Sequence, residues 1–301
     1  MTANTKFTKS EAIPPDAKHD PSSLKGKSVI ITGGASGIGE QCLQAFVKAG
    51  AFVTFGDVAD DLGEAIASSL GTEKVAFVHY QLHLFKTALS HSPSNTIDIV
   101  LANAGINRSD DITLQTASLP NGDPVEPDLS VLDVNFTGVM YTTKLALYYF
   151  PQQPQDDENR DRSIIITGSM ASYMDHAQSP QYNASKFGVR GLMRSLRRTG
   201  PGEGIRINMI APWFTDTRIM QGARPQIEAH GIEFVEIEDV GNGVLHLASD
   251  KSINGRAISI VPKSVSQRGY LDLEKDDLVE DDFWGLARTA RTAERSAELK
   301  E

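Results

Sequence analysis

Seven short runs of hydrophobic and often β-branched residues recur along the middle of the chain. They cover residues 28–32, 51–57, 74–80, 97–105, 163–169, 206–212 and 257–262. Apolar positions are nearly continuous within each run, which is typical of strands buried on both faces. Segments with a helical pattern separate most of the runs, and this alternation favours right-handed crossovers between parallel strands. The pattern predicts an α/β fold with a single doubly wound parallel sheet and helices on both faces.

The two ends of the chain fall outside this pattern. Residues 1–24 form a polar N-terminal extension, and residues 263–301 form a charged tail that we expect to be a frayed helix or a disordered segment. One domain is predicted between them, at residues 25–262. Polar sequence at 107–128 and charged sequence at 151–162 predict two surface loops within that domain.

Composition narrows the class of partner. The net charge is −10, so we expect neither nucleic acid nor an anionic membrane surface as the main partner, because both bind basic faces. No stretch reaches the roughly 18 apolar residues of a membrane helix, and the single cysteine, Cys42, cannot form an internal disulfide. We therefore expect a cytoplasmic protein that acts on small molecules, with no metal site and no membrane insertion.

A glycine-rich turn follows the first predicted strand and precedes a helical segment. Its spacing is Gly33-x-x-x-Gly37-x-Gly39, within the sequence TGGASGIG at residues 32–39. Backbone N–H groups and the positive end of a helix dipole meet at such a turn, which suits a pyrophosphate. A tight strand-to-helix turn that binds no ligand is the alternative, since the glycines alone are weak evidence.

The end of the second predicted strand makes a dinucleotide the better explanation. Asp57 lies about 20 residues beyond the loop, where a carboxylate binds the ribose 2′-hydroxyl of NAD in Rossmann-like folds. The same carboxylate repels a 2′-phosphate, and no Arg or Lys stands at Ser36 or at Val58 to attract one. We therefore predict NAD as the cofactor. An ordinary role for Asp57 as a turn or cap residue stays open.

The fifth predicted strand leads to a candidate acid/base. Tyr182 and Lys186 are four residues apart, so they share one helix face, and no other tyrosine has a lysine at this spacing. A nearby ammonium favours the phenolate and lowers a tyrosine pKa from about 10. Ser169 ends the preceding strand and has a hydroxyl suited to holding a substrate oxygen. The alternative for the Tyr–Lys pair is a solvated helix face.

Together these motifs resemble the short-chain dehydrogenase/reductase family, in its compact one-domain form. The resemblance covers about residues 25–262. Besides the residues above, it rests on NAG at 103–105, Asn135 in DVNFTG, YNASK at 182–186 and NMIAPWFTDT at 208–217. Several motifs in the family's order are far more specific than any one of them.

The resemblance implies a role for each matching residue. Tyr182 is implied to be the general acid/base, Ser169 to polarise the substrate oxygen, and Lys186 to lower the tyrosine pKa and bind the nicotinamide ribose. Asn135 is implied to position a water, or else to be an ordinary helix amide. The implied cofactor-binding set, which also includes Tyr182 and Lys186, is Gly33, Ser36, Gly37, Ile38, Gly39, Asp57, Asn103, Ala104, Gly105, Thr215 and Thr217.

Within that set, some residues have a simpler explanation. Asn103 serves the family more often by holding strands together than by chemistry. Ser169 and Thr217 have hydroxyls that also suit a strand end or a helix cap. We keep these structural alternatives beside the implied roles.

The sequence departs from the family at two places. After the third strand the family has an acidic residue that meets the adenine and a full helix, whereas this chain has Val78-His79-Tyr80-Gln81 and a short helical pattern at 82–91. Either Gln81 or the backbone replaces that contact, or the cofactor pocket is impaired. The second departure is Trp213, at the position of a family glycine. Its ring is expected in an apolar, roomy substrate cleft, in solvent, or packed against the core.

The sequence therefore predicts an NAD-dependent oxidoreductase acting on a secondary alcohol or ketone with a hydrophobic scaffold. It is similar to fungal NAD-dependent alcohol dehydrogenases of secondary-metabolite pathways and to 15-hydroxyprostaglandin dehydrogenase-like proteins. A non-catalytic or cofactor-impaired scaffold or sensor protein and an NADPH-dependent ketoreductase are the alternatives. The family also implies a homodimer or homotetramer.

Overall fold

The computed structural model describes residues 10–79, 83–108, 112, 118–153, 161–198, 204–220 and 222–277. Eight strands form one sheet in the order β3-β2-β1-β4-β5-β6-β7-β8. They are β1 Ser28–Thr32, β2 Phe52–Asp57, β3 Val75–His79, β4 Ile99–Ala102, β5 Arg162–Thr167, β6 Ile205–Pro212, β7 Ala257–Ile260 and β8 Tyr270–Asp272. The first seven strands pair in parallel, and β8 pairs with β7 in the antiparallel sense.

Helices connect the parallel strands. They are α1 Gly37–Lys48, α2 Asp60–Leu70, α3 Leu84–His91, α4 Ser130–Leu132, α5 Gly138–Tyr149, α6 Pro180–Leu196, α7 Arg224–Ala229 and α8 Ile237–Ser249. A π-helical stretch, Asp133–Thr137, joins α4 to α5, and α6 begins with a proline, whose fixed φ suits a first helical turn. In the described residues, no helix is both long enough and apolar enough to span a membrane.

Two hydrophobic clusters cover the two faces of the sheet. Val29 and Ile31 of β1 belong to the cluster that includes α1 and α8, whereas Ile30 belongs to the cluster that includes α5 and α6. Alternate side chains of one strand therefore point to opposite faces, and both faces are buried. Burial of each such side chain stabilises the fold by about 1.5 to 3 kcal/mol. The predicted α/β fold with helices on both faces is confirmed.

The strand order positions the functional site. The chain runs outward from β1 to β3 and then returns to place β4 on the other side of β1. At such a reversal the connections leave the sheet in opposite directions and open a crevice at the carboxyl ends of the strands. The segments after β1, β4, β5 and β6 all meet at that edge.

The two ends of the described chain pack onto the domain. Ile13 and Leu24 are buried in the core, and the backbone N–H of Ser10 donates to Asn254 O at 2.9 Å. Strand β8 lies inside the segment that composition assigned to a charged tail, and the sheet thus continues beyond residue 262. A strand of three residues offers too short a pattern to detect. The rest of the predicted tail, 278–301, lies outside the described residues.

Candidate active site

The glycine loop is shaped first by contacts within the protein. Gly33 and Gly37 have φ of +68° and +54°, in the left-handed region that favours glycine. A side chain at Gly33 would lie 2.8 Å from Ala104 Cα, and one at Gly39 only 1.9 Å from Gly33 O. A side chain at Gly37 would meet the Thr217 methyl group at 3.2 Å. Close packing of the loop on β4 and α1 therefore requires glycine before any ligand is considered.

The loop delivers the start of α1 to the crevice. Ser36 has the extended backbone of an N-cap, but its side chain makes no capping hydrogen bond. The first N–H groups of a helix have no partner within the helix. Ile38 packs on the core and anchors this first turn. The helix terminus thus presents N–H groups and a positive dipole end beside Thr217, which is an arrangement that binds anions.

Asp57 holds the end of β2 against this loop. Its Oδ2 accepts from Ala35 N at 2.9 Å, and its Oδ1 accepts from Val58 N at 2.8 Å and Ala59 N at 3.1 Å. The carboxylate is thus a turn-capping group, as the structural alternative expected. Each carboxylate oxygen has further acceptor capacity, so this role leaves room for a hydroxyl donor.

The neighbouring end of β3 differs from the family pattern. His79 lies opposite Asp57 in the strand register, and its Nδ1 is 2.5 Å from Asp60 Oδ1 at the start of α2. An exposed imidazole–carboxylate pair therefore occupies this part of the crevice edge. Gln81, the suggested replacement for the adenine contact, lies outside the described residues. The predicted short helix is present as α3.

Asn103 ties three strands together. Its Nδ2 donates to Thr32 O and Gly33 O, both at 3.1 Å, and its Oδ1 accepts from Thr167 Oγ1 at 3.1 Å. Thr32 Oγ1 accepts in turn from the backbone N–H groups of Asn103 and Ala104. This network fixes the path of the glycine loop relative to β4 and β5. Asn103 thus has the strand-holding role that was its simpler explanation.

Ser169 begins a short 3₁₀ helix directly after β5. Its Oγ accepts from Ala171 N at 3.1 Å, and Ser172 Oγ accepts from Ser169 N at 3.2 Å, which forms a reciprocal capping box. The Ser169 and Tyr182 side chains lie close enough to interact, and Ser169 lowers the pKa of the tyrosine. The local turn therefore fixes the direction in which the serine hydroxyl points.

Tyr182 is half-buried and Lys186 is buried on one face of α6. Burial raises the pKa of Tyr182 above its usual value, and the interaction with Ser169 offsets only part of that rise. Burial lowers the pKa of Lys186 to about 8. Lys186 Nζ donates to Thr167 O at 3.1 Å and lies 5.6 Å from the centre of the Tyr182 ring.

The pKa shift of Tyr182 differs from the one that we expected from its spacing to Lys186. We expected the ammonium of Lys186 to lower the pKa of Tyr182, but burial dominates and Lys186 is not hydrogen-bonded to the phenol. Tyr182 is therefore protonated at neutral pH in this structure. Its hydroxyl is therefore available as a hydrogen-bond donor.

Asn135 lies in the π-helical stretch and is fully buried. Its Nδ2 donates to Ile106 O at 2.8 Å and to Ser185 Oγ at 3.2 Å, and its Oδ1 accepts from Ile106 N at 2.7 Å. The side chain joins the segment after β4 to the helix that contains Tyr182. It is a bridging amide here, and its implied role toward a water stays a prediction.

Trp213 packs against the core. Its Nε1 donates to Glu233 O at 3.2 Å, and its ring lies edge-on to Phe214 with centres 5.0 Å apart. Thr215 is buried, donates to Trp213 O at 3.0 Å and forms a bridge with Val235. The bulky residue at the family's glycine position thus fastens the segment after β6 to residues 233–235. Of the three expected positions for the Trp213 ring, the structure supports packing against the core.

Comparison with known proteins identifies the family. Residues 27–228 match the family model described as short chain dehydrogenase. The chain belongs to this family. This dehydrogenase is 38% identical to the 5'-hydroxyaverantin dehydrogenase of Dothistroma septosporum over 88% of the chain and 92% of that protein. It is 34% identical to the NADP-dependent dehydrogenase M3 of a Phoma species over 82% of the chain and 78% of that protein.

A solved structure agrees with the fold. The crystal structure of gox2181 superposes with a TM-score of 0.65 at 25% sequence identity, and the alignment covers 78% of this dehydrogenase and 95% of that chain. The family match confirms the predicted resemblance and the oxidoreductase class.

The residues of this dehydrogenase fit a nicotinamide dinucleotide. The buried ammonium of Lys186 has three donors, and Thr167 O is its hydrogen-bond acceptor among the described residues. Its remaining donors therefore suit the hydroxyls of a ribose. The glycine loop and the start of α1 suit a pyrophosphate at the same edge of the sheet, and Thr217 lies beside them.

Sequence reasoning missed several residues of this dehydrogenase's site. Thr32 and Thr167 organise the loops. Asp276 accepts a hydrogen bond from Tyr173, which follows Ser169 by four residues. Thr32 belongs to the quoted TGGASGIG motif, so its position was a usable signal. Asp276 lies far along the chain in a charged segment, where no local pattern distinguishes it.

Proposed function

We propose that this protein is an NAD(H)-dependent oxidoreductase that interconverts a secondary alcohol and a ketone. The observation that supports it most is the meeting of Ser169, Tyr182 and Lys186 at the carboxyl edge of the sheet, beside the glycine loop. A half-buried phenol, a directed hydroxyl and a buried ammonium are groups that suit a carbonyl reduction. The family membership of residues 27–228 supports the same reaction class.

The protein's own groups would manage the proton and the orientation. The Ser169 and Tyr182 side chains interact, and their hydroxyl groups would together hold the substrate oxygen. Tyr182 would donate its proton to that oxygen during reduction and receive it back during oxidation. Lys186 would bind the ribose through its free donors, and its charge would favour the phenolate. A bound nicotinamide supplies or accepts the hydride.

NAD is proposed as the cofactor because of the groups around Asp57. The carboxylate stands at the end of β2 with acceptor capacity for a ribose hydroxyl. Val58 and Ala59 follow it, so neither of the next two residues offers a cation to a 2′-phosphate. NADPH-dependent ketone reduction is the second candidate, favoured by the relative named as NADP-dependent.

The proposed substrate has a hydrophobic scaffold. Met170 and Met174 follow Ser169, Met174 is 46% exposed, and Ile219 is exposed after β6. The relative named 5'-hydroxyaverantin dehydrogenase supports a secondary-metabolite alcohol as the substrate class. A cytoplasmic location is proposed with it, since Cys42 is the one cysteine of the sequence and is buried.

Titration with each cofactor tests the proposal. Tryptophan fluorescence or calorimetric heat is followed while NADH or NADPH is added to the purified chain. We expect saturation by NADH and much weaker binding of NADPH. An Asp57→Asn variant should narrow the gap between them. Tighter binding of NADPH would favour the ketoreductase, and binding of neither at millimolar concentration would favour the cofactor-impaired scaffold.

Substitution of the proposed acid/base tests catalysis separately. Tyr182→Phe keeps the ring and removes the proton, so we expect kcat on hydrophobic secondary alcohols to fall about 10²- to 10⁴-fold. NADH binding should change little. Tyr148→Phe, at an exposed tyrosine of α5, is the matched control and should retain full activity. Unchanged turnover in Tyr182→Phe would refute the assignment.

A further inference from the structure

A buried carboxylate near the C-terminal end of the described chain contacts the loop that begins with Ser169. Asp276 is 3% exposed. Its Oδ2 accepts the hydroxyl hydrogen of Tyr173, and its Oδ1 accepts from Arg190 Nε at 2.9 Å and Arg194 Nη1 at 3.2 Å. One carboxylate thus links the Ser169 turn to the helix that contains Tyr182 and Lys186.

The segment that contains Asp276 is itself firmly held. Strand β8 pairs with β7, and Arg256 forms a two-point ion pair with Asp272 at 2.7 Å for both contacts. The Arg197 side chain donates to Asp276 O at 2.9 Å and to Gly255 O at 3.0 Å. Since the backbone on both sides of the carboxylate is anchored, Asp276 provides a fixed point for the groups that it contacts.

Two contacts continue from Asp276 to Ser169. Arg190 donates to Ser172 O at 3.2 Å, and its guanidinium lies 4.1 Å from the centre of the Tyr173 ring. Ser172 completes the capping box with Ser169. The carboxylate therefore orients Arg190 and Tyr173, and these two residues fix both the backbone and the C-terminal end of the turn that directs the Ser169 hydroxyl.

The Asp276 carboxylate also keeps a second tyrosine near Ser169, Tyr173, in its protonated form. Burial raises the pKa of Tyr173 well above its usual range, and the charge of Asp276 raises it further. The Tyr173 hydroxyl is committed as a donor to Asp276. Tyr173 thus stays neutral, and its hydroxyl is occupied by Asp276 rather than available to Ser169.

We propose that Asp276 is a positioning residue that holds the Ser169 turn in a fixed place relative to Tyr182. It lies outside residues 27–228, the part of the chain that matches the family model. Asp276 acts through Tyr173 and Arg190 and touches no reacting atom. The inference rests on the proposed function, because Ser169 must hold the substrate oxygen for its position to affect the rate.

Kinetics of Asp276→Asn on 1-phenylethanol with NAD⁺ test this role. We expect kcat/KM for the alcohol to fall about tenfold, because small misplacements of orienting groups cost catalysis strongly. Binding of NADH should be unchanged. In a Ser169→Ala background, the same substitution should cost less than twofold, since the group that it positions is already absent. Equal losses in both backgrounds would overturn the proposal.

Asp277→Asn is the matched control. Asp277 is the next residue, and its carboxylate accepts from Arg256 at 2.8 Å rather than from Tyr173 or Arg190. We expect near wild-type kcat/KM for this variant. Should Asp276→Asn not fold, Tyr173→Phe removes a single hydroxyl from the same contact and should show a smaller loss with the same dependence on Ser169.

Hydrogen exchange separates failure of this proposal from failure of the proposed function. We expect backbone amides of residues 169–173 to exchange at least about tenfold faster in Asp276→Asn than in Asp277→Asn, whether or not any alcohol is turned over. Protection that is the same in both variants would refute the positioning role. Turnover by the wild type that Tyr182→Phe abolishes would still support the proposed function in that case.

Discussion

Lys186 carries a charge that burial disfavours, although the proposed function requires that charge. Its ammonium is buried, with Thr167 O as the hydrogen-bond acceptor among the described residues, and burial lowers its pKa to about 8 from 10.5. A base with a lowered pKa in the folded state binds its proton more weakly there than in the unfolded chain. The protonated form of Lys186 therefore destabilises the cofactor-free protein at neutral pH.

Replacement of this lysine should stabilise the cofactor-free protein. We expect Lys186→Met to raise Tm at pH 7 by about 4 °C, because the cost of the buried charge is removed and is of the order of 3 kcal/mol at most. The unfolded chain retains the proton between pH 8 and 10.5, so wild-type stability rises through that window and the difference between the proteins shrinks. Scanning calorimetry at pH 7 and pH 10 measures both effects.

An exposed lysine provides the comparison. Lys86 is exposed on α3, so Lys86→Met should leave Tm nearly unchanged at both pH values. A lower Tm for Lys186→Met at pH 7 would mean that the contacts of the ammonium outweigh its desolvation. Activity should be lost in Lys186→Met alone, as expected where stability and function conflict.

Residues of the candidate site differ in how far sequence could predict them. Tyr182 and Lys186 are close in sequence, so helical spacing alone places them on one face. The direction of the Tyr182 pKa shift depends on burial, which spacing does not specify. Asp276 meets Tyr173 across 103 residues of chain, and only the folded sheet brings them together.

At the scale of elements, the glycine loop is where sequence pattern and packing agree most closely. A side chain at Gly39 would lie 1.9 Å from Gly33 O, and neither the loop nor α1 can move without disturbing the Asn103 network. By contrast, Gly191 in α6 has nothing within 4 Å of an added side chain. We therefore expect substitution by alanine to have opposite effects on stability at Gly39 and at Gly191.

Alanine at these two positions tests the packing argument. Gly39→Ala should destabilise the protein by several kcal/mol or prevent folding, because backbone would collide with backbone. Gly191→Ala should stabilise it by about 0.5 to 1 kcal/mol, since alanine favours a helix interior. Urea unfolding monitored by circular dichroism measures both. A tolerated Gly39→Ala with intact NADH binding would contradict the close packing of the loop.

Strand prediction succeeded where burial made the signal strong. All seven parallel strands coincide with near-continuous apolar runs, because both faces of the sheet are covered. The run at 97–105 was too long, since β4 ends at Ala102 and Asn103 begins the loop. Strand β8 was missed because it has three residues and derives its place from pairing with β7.

At the scale of the whole molecule, helices α5 and α6 both expose large apolar side chains. Tyr141 and Tyr148 are 65% and 54% exposed, and they are seven residues apart on the outer face of α5. Met140 and Phe187 are also exposed, at 45% and 41%. Both helices pack on the same face of the sheet. Clustered exposed aromatic residues are typical of protein interfaces.

We therefore expect these helices to form the contact of a homodimer or homotetramer. Tyr141→Asp places a charge in the contact and should shift the protein toward the 32.7 kDa monomer in light scattering after size-exclusion chromatography. Val265→Asp is the matched control, because Val265 is 63% exposed but belongs to the segment between β7 and β8 and to neither helix. A wild type that is monomeric at every concentration would contradict the prediction. If Tyr141→Asp and Val265→Asp both caused dissociation, the effect would not be specific to α5, and the contact would lie elsewhere.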